Sequence, residues 1–106
     1  SKFSYSPYSK IKVGAALLCK NNKIYTGTNI ENASFGATCC AERVALFKAV
    51  SEGELQFLKM AVTHMPCGIC RQVLFEFSPN LLIYVKDNDK ILKYEARELL
   101  PKAFTI

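Results

Sequence analysis

Cys40-Ala41-Glu42-Arg43, together with Pro66-Cys67-Gly68-Ile69-Cys70-Arg71-Gln72 further along, decides how this chain folds. Cys67 and Cys70 are three apart, so one helical turn brings both sulfurs to the same side. Cys40 and Glu42 are two apart, and in mid-helix they would point in nearly opposite directions. They share a site only if the pair stands at a helix N-terminus, with that site beyond the end of the axis. The two stretches therefore predict two helix starts that aim their positive ends at one point, a placement that favours thiolate over thiol.

The rest of the pattern agrees with two such helices set among strands. Residues 1–10, rich in Ser, Tyr and Lys around Pro7, read as an irregular lead-in. Ile11–Cys19 and Lys23–Ile30 are β-like runs joined by Lys20-Asn21-Asn22, which predicts a hairpin. Glu31–Cys39 is small and polar and reads as a loop. A helix is expected over Cys40–Val50, closing near Gly53, and a strand over Leu55–Thr63. Pro66 opens a second helix that runs to about Phe77, since a first turn tolerates Pro well. Leu81–Val85 is a continuous apolar run of the kind found in a strand covered on both faces. Asp87-Asn88-Asp89 is a turn, Ile91–Tyr94 a short strand, and Glu95–Leu100 a helical turn stopped by Pro101. The order β-β-α-β-α-β-β implies an α/β layered fold with a mixed sheet.

Composition narrows the classes. The 106 residues are expected to form one domain, with half of them apolar and ample for a single core. No apolar run approaches the ~18 residues that span a bilayer, which argues against a membrane protein. The start lacks the charged-then-apolar layout of a secretory leader, although Ser1 in place of Met leaves a trimmed leader open. Five cysteines, three of them in a metal-ligand pattern, favour metal ligation in a reducing cytoplasmic compartment over a disulfide framework. The net charge of +5 comes from scattered lysines with no basic run, so it reads as a solvated surface rather than a nucleic-acid footprint.

Three thiolates and a carboxylate point to one chemistry. Three protein ligands leave a tetrahedral zinc an open position, the mark of a catalytic rather than a structural site. Zinc brings its bound water to a pKa of roughly 7. Glu42, kept off the metal, would move the proton. Arg43, one turn from Cys40, is placed to donate to a sulfur and temper the charge of the thiolates. A lone Cys-x-x-Cys is also common in structural clips and redox pairs, but its combination with Cys-x-Glu at a helix head matches the zinc nucleobase deaminases. Cys19 or Cys39 as a fourth ligand would close the site and leave Glu42 a costly charge in an apolar helix. Cys19 reads instead as a core thiol, and His64, the lone histidine, as a loop residue. Asn29 and Glu31 project to one side of an extended strand, an amide and a carboxylate suited to a sugar hydroxyl; a plain polar strand end has the same spacing.

Taken in order, Ser6-Pro7-Tyr8-Ser9-Lys10, Val13-Gly14-Ala15-Ala16-Leu17, Asn29-Ile30-Glu31-Asn32-Ala33, the two cysteine stretches, and Leu99-Leu100-Pro101 with Phe104 resemble the short, homotetrameric type of cytidine deaminase. The resemblance covers nearly the whole chain. It implies a three-layer α/β/α fold with a mixed sheet of about five strands. It also implies one Zn2+ per chain on Cys40, Cys67 and Cys70, with Glu42 as proton shuttle. Asn29 and Glu31 would hold the ribose 3′-hydroxyl, and Ala41 would meet the base through its backbone. Arg43 and Gln72 would surround the sulfurs, and Phe35 and Phe104 would stand where neighbouring subunits share their sites. The implied reaction is hydrolytic deamination of cytidine or deoxycytidine to uridine or deoxyuridine, with release of ammonia, in pyrimidine salvage. The rivals are a blasticidin S-type deaminase, against which the Asn29–Glu31 pair argues, and a non-catalytic structural zinc module. The chain departs from the family pattern at Ile11, where Phe usually faces the pyrimidine, and at Phe35, usually Tyr. The 62–66 stretch is several residues shorter than usual, and the family's first helix would precede Ser1.

Overall fold

Alternating burial defines the first hairpin. β1 (Gly14–Cys19) buries Ala15, Leu17 and Cys19 on one face, and β2 (Ile24–Thr28) buries Tyr25 and Gly27 beside them. The strands pair antiparallel with Ala16 opposite Thr26. Their connection turns at Asn22, whose φ of 68° lies in the left-handed region that Asn tolerates. Asn21 Oδ1 accepts the Lys23 N–H at 3.0 Å and closes the turn. The computed structural model describes residues 4–31, 33, 34 and 38–99.

β1 begins at Gly14, three residues after the expected Ile11, for a local reason. The Asn29 amide stands where a partner strand would. Its Oδ1 accepts the Val13 N–H at 3.0 Å and its Nδ2 donates to the Ile11 carbonyl at 2.9 Å. One side chain thus satisfies the backbone that a ladder would otherwise pair.

The remaining elements follow the expected order with boundaries moved by at most two residues. They are α1 (Ala41–Ser51), β3 (Phe57–Val62), α2 (Gly68–Phe77), β4 (Leu82–Asp87), β5 (Lys90–Glu95) and the single turn α3 (Ala96–Leu99). The five strands lie in the order β2-β1-β3-β4-β5. Only β3 and β4 run parallel, because α2 carries the chain back between them. A two-residue turn with Asn88 at φ 55° joins β4 to β5.

α1 packs across β1 and β2, and α2 packs against α1. Ala41, Ala45 and Ala49 are fully buried, and these small side chains let the helix sit close to the sheet. Gly27 makes the closest approach. A Cβ there would lie 2.5 Å from the Ala41 carbonyl oxygen and 2.7 Å from the Ala45 nitrogen, so only glycine fits.

Two of the three expected layers are present among the described residues, with both long helices on one sheet face. Ala16, Thr26, Ala61 and Tyr84, which alternate with the core positions, face the other way and border a cavity of about 610 Å³. The expected doubly covered strand therefore alternates instead. Ile83 and Val85 are buried while Leu82 and Tyr84 are half-buried, because no described element covers the second face. None of the described helices is long and apolar enough to cross a membrane.

Candidate metal centre

Each long helix begins directly after a cysteine in extended backbone. Cys40 (φ −75°, ψ 155°) precedes α1 and Cys67 (φ −71°, ψ 172°) precedes α2, and neither side chain caps its own helix. Both sulfurs are thus free to point past the helix ends. Glu42 is the second residue of α1 and Cys70 the third of α2, so each helix adds one further group within its first turn.

The three sulfurs converge. Cys40 Sγ lies 3.5 Å from Cys67 Sγ, and Cys67 Sγ lies 3.4 Å from Cys70 Sγ. Tetrahedral zinc with Zn–S bonds of about 2.3 Å requires sulfurs ~3.8 Å apart, so the trio fits the metal. Among the described residues this is the one group of three or more such side chains, its ligand atoms all within 4.8 Å of one another. Cys39 stays out because it pairs with Ile30 through two backbone hydrogen bonds of 2.8 Å, and Cys19 is fully buried in the core. His64 sits in the bend after β3, its Nδ1 2.8 Å from Thr63 Oγ1, apart from the thiols.

The charges around the trio are ordered. The Cys70 thiol, opposed by burial but helped by Arg43, brings Cys40 down to about 5. Cys70 itself is pushed up, by the hydrogen bond it gives Cys40 and by burial. Burial also works against the charge of Arg43, yet its contacts with Cys40 and Cys70 hold it firmly protonated. Its Nη2 donates to the Thr38 carbonyl at 3.0 Å and to Cys40 Sγ at 3.5 Å, the sulfur contact its spacing predicts. Glu42 is only 3% exposed, and burial raises its carboxyl above the ordinary range. A buried carboxyl with a raised pKa beside a metal-ligand cluster is suited to taking and giving a proton.

The proposed sugar readers lie next to this corner. Ile30 bridges in parallel to Tyr5 and antiparallel to Cys39, so residues 29–31 run between the lead-in and the residue before Cys40. Asn29 is nearly buried by the bonds to Ile11 and Val13. Glu31 Oε1 accepts the Tyr8 and Ser9 N–H groups at 2.9 and 3.1 Å, and Oε2 accepts the Ser9 hydroxyl. The Ser9 hydroxyl first, then the two backbone donors and Lys10, outweigh desolvation and hold the Glu31 carboxyl below its usual range. Tyr8, Ser9, Glu31 and Thr38 line a cavity of about 430 Å³. Thr38, through its carbonyl on Arg43, joins that cavity to the thiol corner.

Ala41 is buried as the first residue of α1, and Gln72 is half-buried in α2. Phe35 and Phe104 lie outside the described residues. Sequence reasoning missed three supports. Gly27 was signalled only by being a glycine in an alternating strand. Ser9 and Arg71 gave no local signal. Arg71 Nε donates to the Pro66 carbonyl at 2.9 Å and Nη1 to the Leu99 carbonyl at 3.2 Å, tying the start of α2 to α3.

Residues 1–86 match the family model described as the cytidine and deoxycytidylate deaminase zinc-binding region. The chain belongs to this family. It is 47% identical over 110 residues to a cytidine deaminase of Halalkalibacterium halodurans, covering 96% of this chain and 83% of that protein. The crystal structure of a cytidine deaminase from Burkholderia pseudomallei superposes with a TM-score of 0.91 at 41% identity, covering 97% of this chain and 89% of that one. A blasticidin-S deaminase of Bacillus cereus is more distant, 32% identical over 111 residues, covering 92% of this chain and 79% of that protein. Zinc is the metal of the family, and the three-thiol group is where this chain fits it.

Proposed function

We propose that this chain is a zinc-dependent cytidine deaminase that hydrolyses cytidine or deoxycytidine to the uridine product and ammonia. Cys40, Cys67 and Cys70 hold the metal, with Arg43 and Gln72 around the sulfurs. Zinc at that position supplies a Lewis acid that makes water a competent nucleophile near neutral pH. Glu42 takes a proton from the attacking water, delivers one to N3 of the pyrimidine, and then protonates the amino group leaving C4. The C4–O bond forms as N3 takes its proton; the C4–N bond then breaks as ammonia leaves, and C4 becomes the carbonyl carbon of the uridine product. The observation that carries this reading is the buried Glu42 carboxyl beside three converging thiols at the joined ends of two helices. Burial raises the carboxyl above its ordinary range, in the direction an acid–base group needs.

Asn29 and Glu31 read the ribose 3′-hydroxyl in the cavity beside Tyr8, and Ala41 meets the base. A sugar reader of this kind favours cytidine over the blasticidin-type ligand. The 106 residues act as one deaminase domain, and four chains share their sites, with Phe35 and Phe104 at the seams. Support for a partner lies in Ile69, between two of the thiols and 61% exposed, and in Ile11, 51% exposed beside the sugar cavity. The enzyme works in the cytoplasm, in pyrimidine salvage.

The test is a paired measurement on one preparation, zinc content and cytidine deamination followed by absorbance and ammonia. Wild type should carry one zinc per chain and turn over cytidine. Glu42→Ala should retain the zinc and lose at least the ~10²–10⁴-fold typical of acid–base catalysis. Loss of zinc in that variant would make Glu42 a ligand and overturn the mechanism.

A further inference from the structure

Glu31 is held by more of the chain than a sugar reader needs. Ser6-Pro7-Tyr8-Ser9 forms one helical turn, closed by the Lys10 N–H on the Ser6 carbonyl at 3.1 Å and ended by Lys10 at φ 63°. Pro7 has no N–H to offer, so the open donors of this turn are those of Tyr8 and Ser9. Both point at Glu31 Oε1, at 2.9 and 3.1 Å, and fill its two lone pairs. Oε2 takes the Ser9 hydroxyl. That hydroxyl has no rotational freedom left to exploit, because its oxygen accepts the Ile11 N–H at 3.1 Å and its proton is directed at the carboxylate. One lone pair of Oε2 stays open among the described residues.

Asn29 is committed in the same way. Its Oδ1 accepts Val13 N–H and the Ser4 hydroxyl, and one Nδ2–H donates to Ile11. The Val13 donor and the Ile11 acceptor fix which way the amide points. One N–H remains. The clamp therefore offers one donor and one acceptor, a match for a single hydroxyl that both accepts and donates.

We infer that Ser9 is a positioning residue for sugar recognition, its hydroxyl fixing the rotamer of Glu31 so that the open lone pair of Oε2 meets the substrate hydroxyl. The inference rests on the proposed reading of Asn29 and Glu31. Through the same oxygen Ser9 also holds residue 11 at the mouth of the site. Without the hydroxyl, Oε2 has two open lone pairs and the carboxylate is held only through the two backbone donors on Oε1, so substrate binding must supply the remaining order.

Ser9→Val and Ser9→Thr separate the hydroxyl from the shape of the side chain. For Ser9→Val, the KM for cytidine should rise by roughly two- to tenfold, the range for one lost hydrogen bond, with kcat little changed. Its preference for cytidine over 3′-deoxycytidine should fall, and Ser9→Thr should retain both wild-type values. Three results would overturn the inference: an unchanged preference in Ser9→Val while Glu31→Gln loses it, Ser9→Thr behaving like Ser9→Val, or kcat falling as far as KM rises on both nucleosides. If Glu31→Gln keeps the preference, the sugar clamp itself is wrong and the role of Ser9 falls with it. No turnover of cytidine by the unsubstituted enzyme would refute the deaminase reading and the inference together.

Discussion

The two helix starts that carry the thiols look alike in sequence and are built differently. At α1 the first turn is packed under the sheet. Ala41 is fully buried, Glu42 nearly so, and β2 presses against the backbone at Gly27. At α2 the first turn is divided, with Cys70 fully buried and the residues before it in solvent. Cys67, Gly68 and Ile69 are exposed, and the turn is anchored through the Arg71 guanidinium. The buried start supplies the proposed proton carrier, Glu42, whose carboxyl is raised by its low-dielectric setting. The more open start supplies two sulfurs, one exposed at Cys67 and one buried at Cys70, whose thiolates are favoured by a metal and a positive helix end. One type of motif, a cysteine before a helix, therefore does two jobs, and burial divides them.

The largest expected effect tests the open start. Cys67→Ala should lose zinc binding and all measurable activity, and its melting temperature should fall to that of chelator-treated wild type, since metal affinity is coupled to folding. Normal zinc stoichiometry would show that α2 does not supply this ligand. Next is the buried start. Gly27→Ala places a methyl against backbone rather than a flexible side chain, so relief must come from moving α1. The expected cost is about 1–3 kcal/mol by chemical denaturation, with activity reduced because Cys40 and Glu42 move with the helix. Wild-type stability and activity would mean that the contact is not tight.

Arg71→Ala should come third. It removes two hydrogen bonds at the edge of the structure, for about 1–2 kcal/mol, and should weaken zinc retention against a chelator more than it lowers kcat of the loaded enzyme. Equal effects on both would place Arg71 in the chemistry itself. The smallest effect sharpens the contrast. Gly68 stands inside the Cys-x-x-Cys motif, but a Cβ there meets nothing within 4 Å and its φ is not left-handed. Gly68→Ala should therefore be neutral or gain up to ~1 kcal/mol from helix propensity and a less flexible unfolded chain. A large loss would show that a neighbouring chain packs on this turn.

The thiol corner was readable because its parts lie within a few residues of one another. Residue spacing along a helix is local geometry, so Cys40 with Glu42 and Cys67 with Cys70 could be placed before any fold was known. The same holds for the β-β-α-β-α-β-β order, which follows from apolar runs and turn residues. Boundaries moved where a side chain replaced a strand, as Asn29 does beside Ile11 and Val13.

What the sequence determined by itself is therefore the α/β class, the two helix starts, the three sulfurs and the carboxylate, all of them set by short-range periodicity. The tertiary structure alone decided which helix start is buried, that Gly27 and not Gly68 is the constrained glycine, and that Ser9 reaches across 22 residues to Glu31. Those contacts join segments far apart in the chain. They depend on how the sheet and helices stack and on which backbone groups are left unpaired when they do, and neither is encoded at any single position.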